Sequence, residues 1–265
     1  MKKLILLLLL IFVLSTQFYA SLRFVNKSNS NVNVGTTNLF GNQGTLMFWL
    51  RPTTLDTGTE SIIDHSATDF SHYAGLGFDT TGGSLNFYKR RGSFTGIQIK
   101  TTAFLTTNQW YFVAVVWDIN AADSAQKIYY GTPSTSLTEA SYTSQTAGTG
   151  TPTTPAGGLV CYIGNSQSLD NSFDGDLYEM AIYNTALNQA QINAAKGWMH
   201  NEPGVQRLWF FGNSSSILTD YSGNVGRLLR WRGDLFQDQA KIIQLHAVDT
   251  QLACDSFGSR GFACS

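Results

Sequence analysis

Apolar residues recur at every second position through most of the chain as far as Ile192. That period belongs to strands half-buried in a sheet rather than to helices. SLRFVN (Ser21 to Asn26), VNVG (Val32 to Gly35) and TLMFWLRP (Thr45 to Pro52) open the series. SIIDHS, YAGLGFD, SLNFYKRR and GIQIKT continue it, with turn signals such as TTGG (Thr80 to Gly83) between them. WYFVAVVWD (Trp110 to Asp118) is the most apolar run and predicts a central strand, with KIYYG (Lys127 to Gly131) as its hairpin partner. The Thr/Ser/Gly/Pro-rich segment from Thr132 to Gly158 predicts a long mobile loop around at most one edge strand. LVCYIGN and DLYEMAIYN close the series. Many short strands with a turn about every ten residues predict an all-β, two-sheet sandwich.

One segment departs from the period of two. NTALNQAQINAAKGW, from Asn184, places Leu187, Ile192 and Ala195 on one side and predicts a short helix packed over the sandwich edge, with Gly197 as its stop. Met1 to Ser21 departs in another way, with two lysines, the apolar run LILLLLLIFVL and a small residue at Ala20. This reads as a secretory signal peptide over 1–20, the alternative being an uncleaved anchor. The run is short against the roughly 20 residues of a spanning helix, and no second apolar run follows. The mature chain is expected to be secreted or held at an extracellular surface, with no membrane span.

Removal of Lys2 and Lys3 leaves 15 basic against 18 acidic residues, a net charge of about −3. A weakly acidic chain offers nothing to a polyanion, which excludes nucleic acid as a partner. Hydroxylated residues and 13% aromatics suit an extracellular β-protein. Of three cysteines, Cys254 and Cys264 flank a Gly-rich loop and are expected to pair in an oxidising compartment. Cys161, inside an apolar run, reads as a buried free thiol.

An ordered set of segments carries a resemblance. SLRF…VNVG, GTLMFWLRP…IIDHS, NQWYFVAVVWD…KIYYG and LVCYIGNS…FDGDLYEMAIYNTALNQAQI together resemble the laminin-G-like jelly roll of the concanavalin A-like lectin/glucanase superfamily. The closing element matches at Phe173, Gly175, Leu177, Glu179, Tyr183, Asn184, Leu187 and Ile192. The resemblance covers Ser21 to Lys196, and RLWFFGNSSSILTDYSGNVG, from Arg207, is similar to a segment common near such domains. It implies an antiparallel two-sheet jelly roll with one short helix after the last core strand. The expected organisation is a jelly-roll domain over 21–226, to which the Arg207 segment adds a strand, and a C-terminal tail over 227–265.

The closing strand also carries Asp174, Asp176 and Glu179, spaced like the catalytic carboxylates of retaining glucanases in the same superfamily. Retaining hydrolysis needs carboxyl groups about 5–5.5 Å apart. Asp174 stands where those enzymes have Glu, and its shorter side chain draws the attacking oxygen back. The flanking Phe173 and MAIYNTAL belong to the laminin-G-like pattern, which favours a domain that binds without cutting. No Gly-x-Ser-x-Gly, His-Glu-x-x-His or phosphate-loop pattern occurs.

For a binder, a sugar site needs an aromatic face and polar groups for hydroxyls. Alternation in SLNFYKRR predicts Leu85 and Phe87 inward and Asn86, Tyr88 and Arg90 outward, as a candidate glycan-binding patch. The resemblance further implies a structural Ca2+, for which Asp220 and Asn224 offer loop oxygens, with Asp64 and Asp118 at strand ends. Arg232-Gly233-Asp234 is an integrin-type tripeptide of a kind that occurs by chance. The expected role is a non-catalytic recognition or adhesion module for an extracellular glycan. A structural coat, appendage or matrix protein that uses the sandwich for protein contacts is the alternative.

Overall fold

A computed structural model describes residues 21–25, 30–36, 38–55, 60–67, 73–80, 82–91, 95–149, 159–197 and 205–210. The leader segment 1–20, Asp220, Asn224, the Arg232-Gly233-Asp234 triplet, Cys254 and Cys264 lie outside the described residues.

Fourteen strands, one α-helix and a short 3-10 helix (Asp123–Ala125) follow one another in these residues. They are β1 (Leu22–Phe24), β2 (Val32–Asn33), β3 (Gln43–Pro52), β4 (Ser61–Asp64), β5 (Ala74–Phe78), β6 (Leu85–Arg91) and β7 (Thr95–Thr101). Then come β8 (Tyr111–Asp118), β9 (Lys127–Gly131), β10 (Thr138–Glu139), β11 (Tyr142–Thr146), β12 (Tyr162–Ile163) and β13 (Gly175–Tyr183). Helix α1 (Gln189–Ala195) and β14 (Val205–Phe210) complete the order. No helix among the described residues is long and apolar enough to cross a membrane.

Two seven-stranded sheets form. Sheet I runs β1-β13-β3-β8-β9-β10, and β14 also pairs with β13. Sheet II runs β11-β7-β6-β5-β4-β12-β2. Every pair of named strands is antiparallel. β1 lies beside the first half of β13 (Leu22 opposite Leu177) and β14 beside its second half (Met180 opposite Trp209). The strand expected from the Arg207 segment is thus part of sheet I. The segment after Thr132 corrects the expectation of at most one edge strand: β10 and β11 both form, one at the edge of each sheet. Tyr142 explains part of this, since its Oη accepts the Ile128 N–H at 2.9 Å and ties β11 to β9 across the sandwich edge.

Between the sheets lies one apolar core. Leu46, Phe48 and Leu50 of β3, Val113, Val115 and Trp117 of β8, and Leu177, Met180 and Ile182 of β13 face Leu76, Phe78, Leu85, Phe87, Ile97 and Ile99 of sheet II. The intervening residues of sheet I are buried too. Met47, Phe112, Ala114, Val116, Ala181 and Tyr183 form a second cluster under Leu187, Ile192 and Ala195 of α1 and its lead-in. A strand covered on both faces has no polar positions to alternate with, which is why WYFVAVVWD reads as a continuous apolar run. Cys161 is a buried free thiol in the first core.

Candidate functional site

With the middle of sheet I covered by α1 and its lead-in, the outward face of sheet II is the broader place where alternation presents polar side chains. On β6, Leu85 and Phe87 are fully buried, while Asn86, Tyr88 and Arg90 point the other way and are half-buried. Lys89 follows the inward parity and is buried, its Nζ donating to the Phe40 carbonyl at 2.8 Å. Burial pushes that amine down to about 8.

Pairing sets what lies beside the outward row. Tyr88 sits opposite Gly75 of β5 and Gln98 of β7, and Asn86 opposite Gly77 and Lys100. β5 therefore shows no side chain on this face, since its outward positions are both glycine. A Cβ on Gly77 would come within 2.3 Å of the Glu60 carbonyl, so no larger residue fits there. The Tyr88 ring lies over Gly96, whose added Cβ would meet the ring at 2.9 Å. Tyr73 packs against it with ring centroids 5.4 Å apart. Asn86 is half-buried, and its Oδ1 is buried without a hydrogen-bond partner. Lys100 is engaged with Asp79 at 2.8 Å.

The low strip over the β5 glycines, here termed the trough, continues onto β4. Asp64 is opposite both Gly75 and Tyr162, and its Oδ2 accepts the Gln167 N–H at 2.8 Å. Burial raises the Asp64 carboxyl above its ordinary range, against the pull of Ser66 and the Gln167 N–H. Burial first, then the charge of Asp64, then Tyr88, push the Tyr73 phenol up to about 12. Asp64, Tyr73 and Tyr88 thus share one neighbourhood. Asp64 Oδ1 and Gln167 Oε1 are both buried without a hydrogen-bond partner. A carboxylate and an amide oxygen, on residues joined by the Gln167 N–H, are the donor types a hard cation takes, and they are two of the six to eight oxygens Ca2+ needs. Among the described residues no group of three or more His, Cys, Asp or Glu side chains gathers, so a cation here would rely on further oxygens from backbone, water or ligand. Asp118, the other strand-end carboxylate, lies in sheet I and accepts the Asn120 N–H at 2.9 Å.

The closing-strand carboxylates occupy a different place. A bulge puts Tyr178 and Glu179 opposite the single residue Trp49, between the Leu177–Leu50 and Met180–Phe48 pairs. By alternation with Ala181 and Tyr183, Glu179 shares the outward face of sheet I with Asp176. Asp176 Oδ2 accepts from Arg51 Nε at 3.0 Å and Nη2 at 2.9 Å, and from Arg23 Nη1 at 3.2 Å. Asp174 is held by Arg23 at 3.1 Å and Thr54 at 3.3 Å. A carboxylate clasped by guanidinium groups is a poor nucleophile, and this cluster fastens β1 to β13 and β3.

Tyr73, Asp64 and Gln167 complete the trough, and the sequence reading gave none of them a place in the glycan patch. The available signal was AGLGF itself, where glycine at each outward position marks a strand over which something else lies.

A family model for laminin G, of the concanavalin A-like lectin/glucanases superfamily, matches residues 26–193. A search of curated proteins returned no match. Among solved structures, a native heptameric SAP-like pentraxin from Limulus polyphemus is similar at 16% identity, over 65% of this chain and 79% of that one, with a TM-score of 0.44. Domains LG4-5 of the mouse laminin alpha1 chain are similar at 14% identity, over 64% of this chain and 44% of that one, with a TM-score of 0.44. The CBM40 of the Ruminococcus gnavus IT-sialidase, bound to alpha2,3 sialyllactose, is similar at 12% identity, over 66% of this chain and 96% of that one, with a TM-score of 0.45.

Proposed function

This chain belongs to the laminin-G-like family of the concanavalin A-like lectin/glucanases superfamily, and from that premise we propose that it is a secreted, non-catalytic recognition module whose ligand is a glycan. The observation that carries the reading is the outward face of β6. There an aromatic ring laid over Gly96, an unpartnered acceptor on Asn86 and the Arg90 side chain stand beside a strand with no outward side chains. A pyranose presents a C–H face to a tyrosine ring and hydroxyl donors to acceptors at its edge. The half-buried Asn86 side chain stands at that edge, beside the ring. The commitment of Asp174 and Asp176 to arginines supports binding without hydrolysis.

Calcium is the proposed structural cofactor, held by Asp64 Oδ1 and Gln167 Oε1. Bound there, it supplies positive charge to two oxygens that nothing else satisfies. Asp64 keeps its other oxygen on the Gln167 N–H, which fixes both ligating groups relative to the trough.

The test is a glycan array probed with residues 21–265, in calcium and again in EDTA. The expected result is selective binding that weakens in EDTA and falls at least about tenfold for Tyr88→Ala, with the fold intact. Silence in both conditions would sink the glycan reading, and release of reducing sugar from any bound glycan would sink the non-catalytic one.

A further inference from the structure

We propose that Asp170 is a positioning residue of the trough: its carboxylate holds the loop of residues 165–171 in the shape that brings Gln167 onto Asp64. The ends of this loop are joined by one side chain. Asn165 is fully buried, and its Oδ1 accepts the N–H of Ser166 at 2.9 Å and of Asn171 at 3.1 Å. The exposed Asp170 bonds across the loop: its Oδ1 accepts from Ser166 Oγ at 2.9 Å, from Asn171 Nδ2 at 2.9 Å and from Ser168 Oγ. One oxygen thus gathers three donors from positions on both sides of the loop tip.

At that tip Leu169 has φ of 60°, and its N–H donates to the Ser166 carbonyl at 3.0 Å. A leucine enters the left-handed region only where its surroundings over-determine it. The product of this arrangement is the Gln167 N–H placed 2.8 Å from Asp64 Oδ2, with Gln167 Oε1 and Asp64 Oδ1 left buried and unpartnered. Asp170 itself is exposed and belongs to neither apolar cluster. Its bonds serve the loop rather than the core, so its removal should release Gln167 and leave the sandwich standing.

The consequence for calcium rests on the reading of Asp64 and Gln167 as its ligands, whereas the Gln167–Asp64 contact does not. The experiment therefore takes two readouts on Asp170→Ala and Asp170→Asn in the full chain. One is hydrogen exchange at the Gln167 amide without metal, and the other is thermal stabilisation on titration with Ca2+. Asp170→Ala should speed exchange at Gln167 by at least about tenfold and raise the Ca2+ midpoint by about 10–100-fold, the range typical of residues that orient metal ligands. The metal-free melting temperature should stay within about 2 °C. Asp170→Asn, which keeps an acceptor oxygen, should fall between. Unchanged Gln167 exchange in Asp170→Ala would overturn the proposal, as would an equal loss of protection throughout β4 and β12. A wild type that ignores Ca2+ would remove the calcium reading alone, and the exchange comparison would still decide the role of Asp170.

Discussion

Glu179 and Gly164 mark two ways in which a single residue is constrained by what surrounds it. Burial pushes the Glu179 carboxyl up to about 7, from an ordinary 4.5. The folded protein therefore holds this proton more tightly than the unfolded chain. The contribution of this group to stability is greatest below about pH 4.5 and declines as pH rises to about 7, by about 3 kcal/mol. Glu179→Gln, which keeps the shape and removes the charge, should match wild type at pH 4 and exceed it by about that amount at pH 8. Urea unfolding at the two pH values checks this; an equal difference at both would contradict it. Gly164 has φ of 81°, and a Cβ there would fall 1.9 Å from the Phe24 ring. Strained backbone and overpacking then act together, so Gly164→Ala should cost about 2–5 kcal/mol in the same measurement.

At the scale of the element, parity explains both what the sequence disclosed and what it withheld. Asn86, Tyr88 and Arg90 were legible as one outward row because a strand's period is local, and Leu85, Phe87 and Lys89 take the opposite face as that period requires. The bulge at Tyr178-Glu179 was not legible, since it appears only when β3 supplies the opposing register. Helix α1 was expected from Asn184 but begins at Gln189, because Asn188 caps it. The Asn188 side chain accepts the Gln191 N–H at 3.0 Å, and the Gln191 side chain accepts the Asn188 N–H at 3.0 Å. This reciprocal pair stops the helix from extending backward. Asn188→Ala should destabilise the protein by about 1 kcal/mol, read as a shift of the denaturation midpoint at unchanged slope. A change within error would show that the packing of Leu187, Ile192 and Ala195 holds the helix without its cap.

Across the whole molecule the two sheets differ in what they do with their outward faces. Sheet I buries Met47, Phe112, Val116 and Tyr183 beneath α1, and its arginine–aspartate cluster binds strands together. Sheet II turns outward Asn86, Tyr88 and Arg90, with Tyr73 packed on Tyr88, and beside them Asp64 and Gln167 each keep a buried oxygen without a hydrogen-bond partner. Asp64 and Gln167 are 103 positions apart and meet because β12 returns beside β4. No local pattern in the chain carries that meeting, which is why the sequence supplied half of the trough and topology the rest. This face of sheet II is the proposed recognition surface. Its most direct test is hydrogen exchange across the full chain, with and without the strongest glycan found on the array. Protection that rises in residues 73–78 and 85–91 and around Gln167, with α1 and β8 unchanged, is the result predicted. Protection confined to α1, β14 or the Arg23–Asp174–Asp176 cluster would place recognition on sheet I and contradict the account.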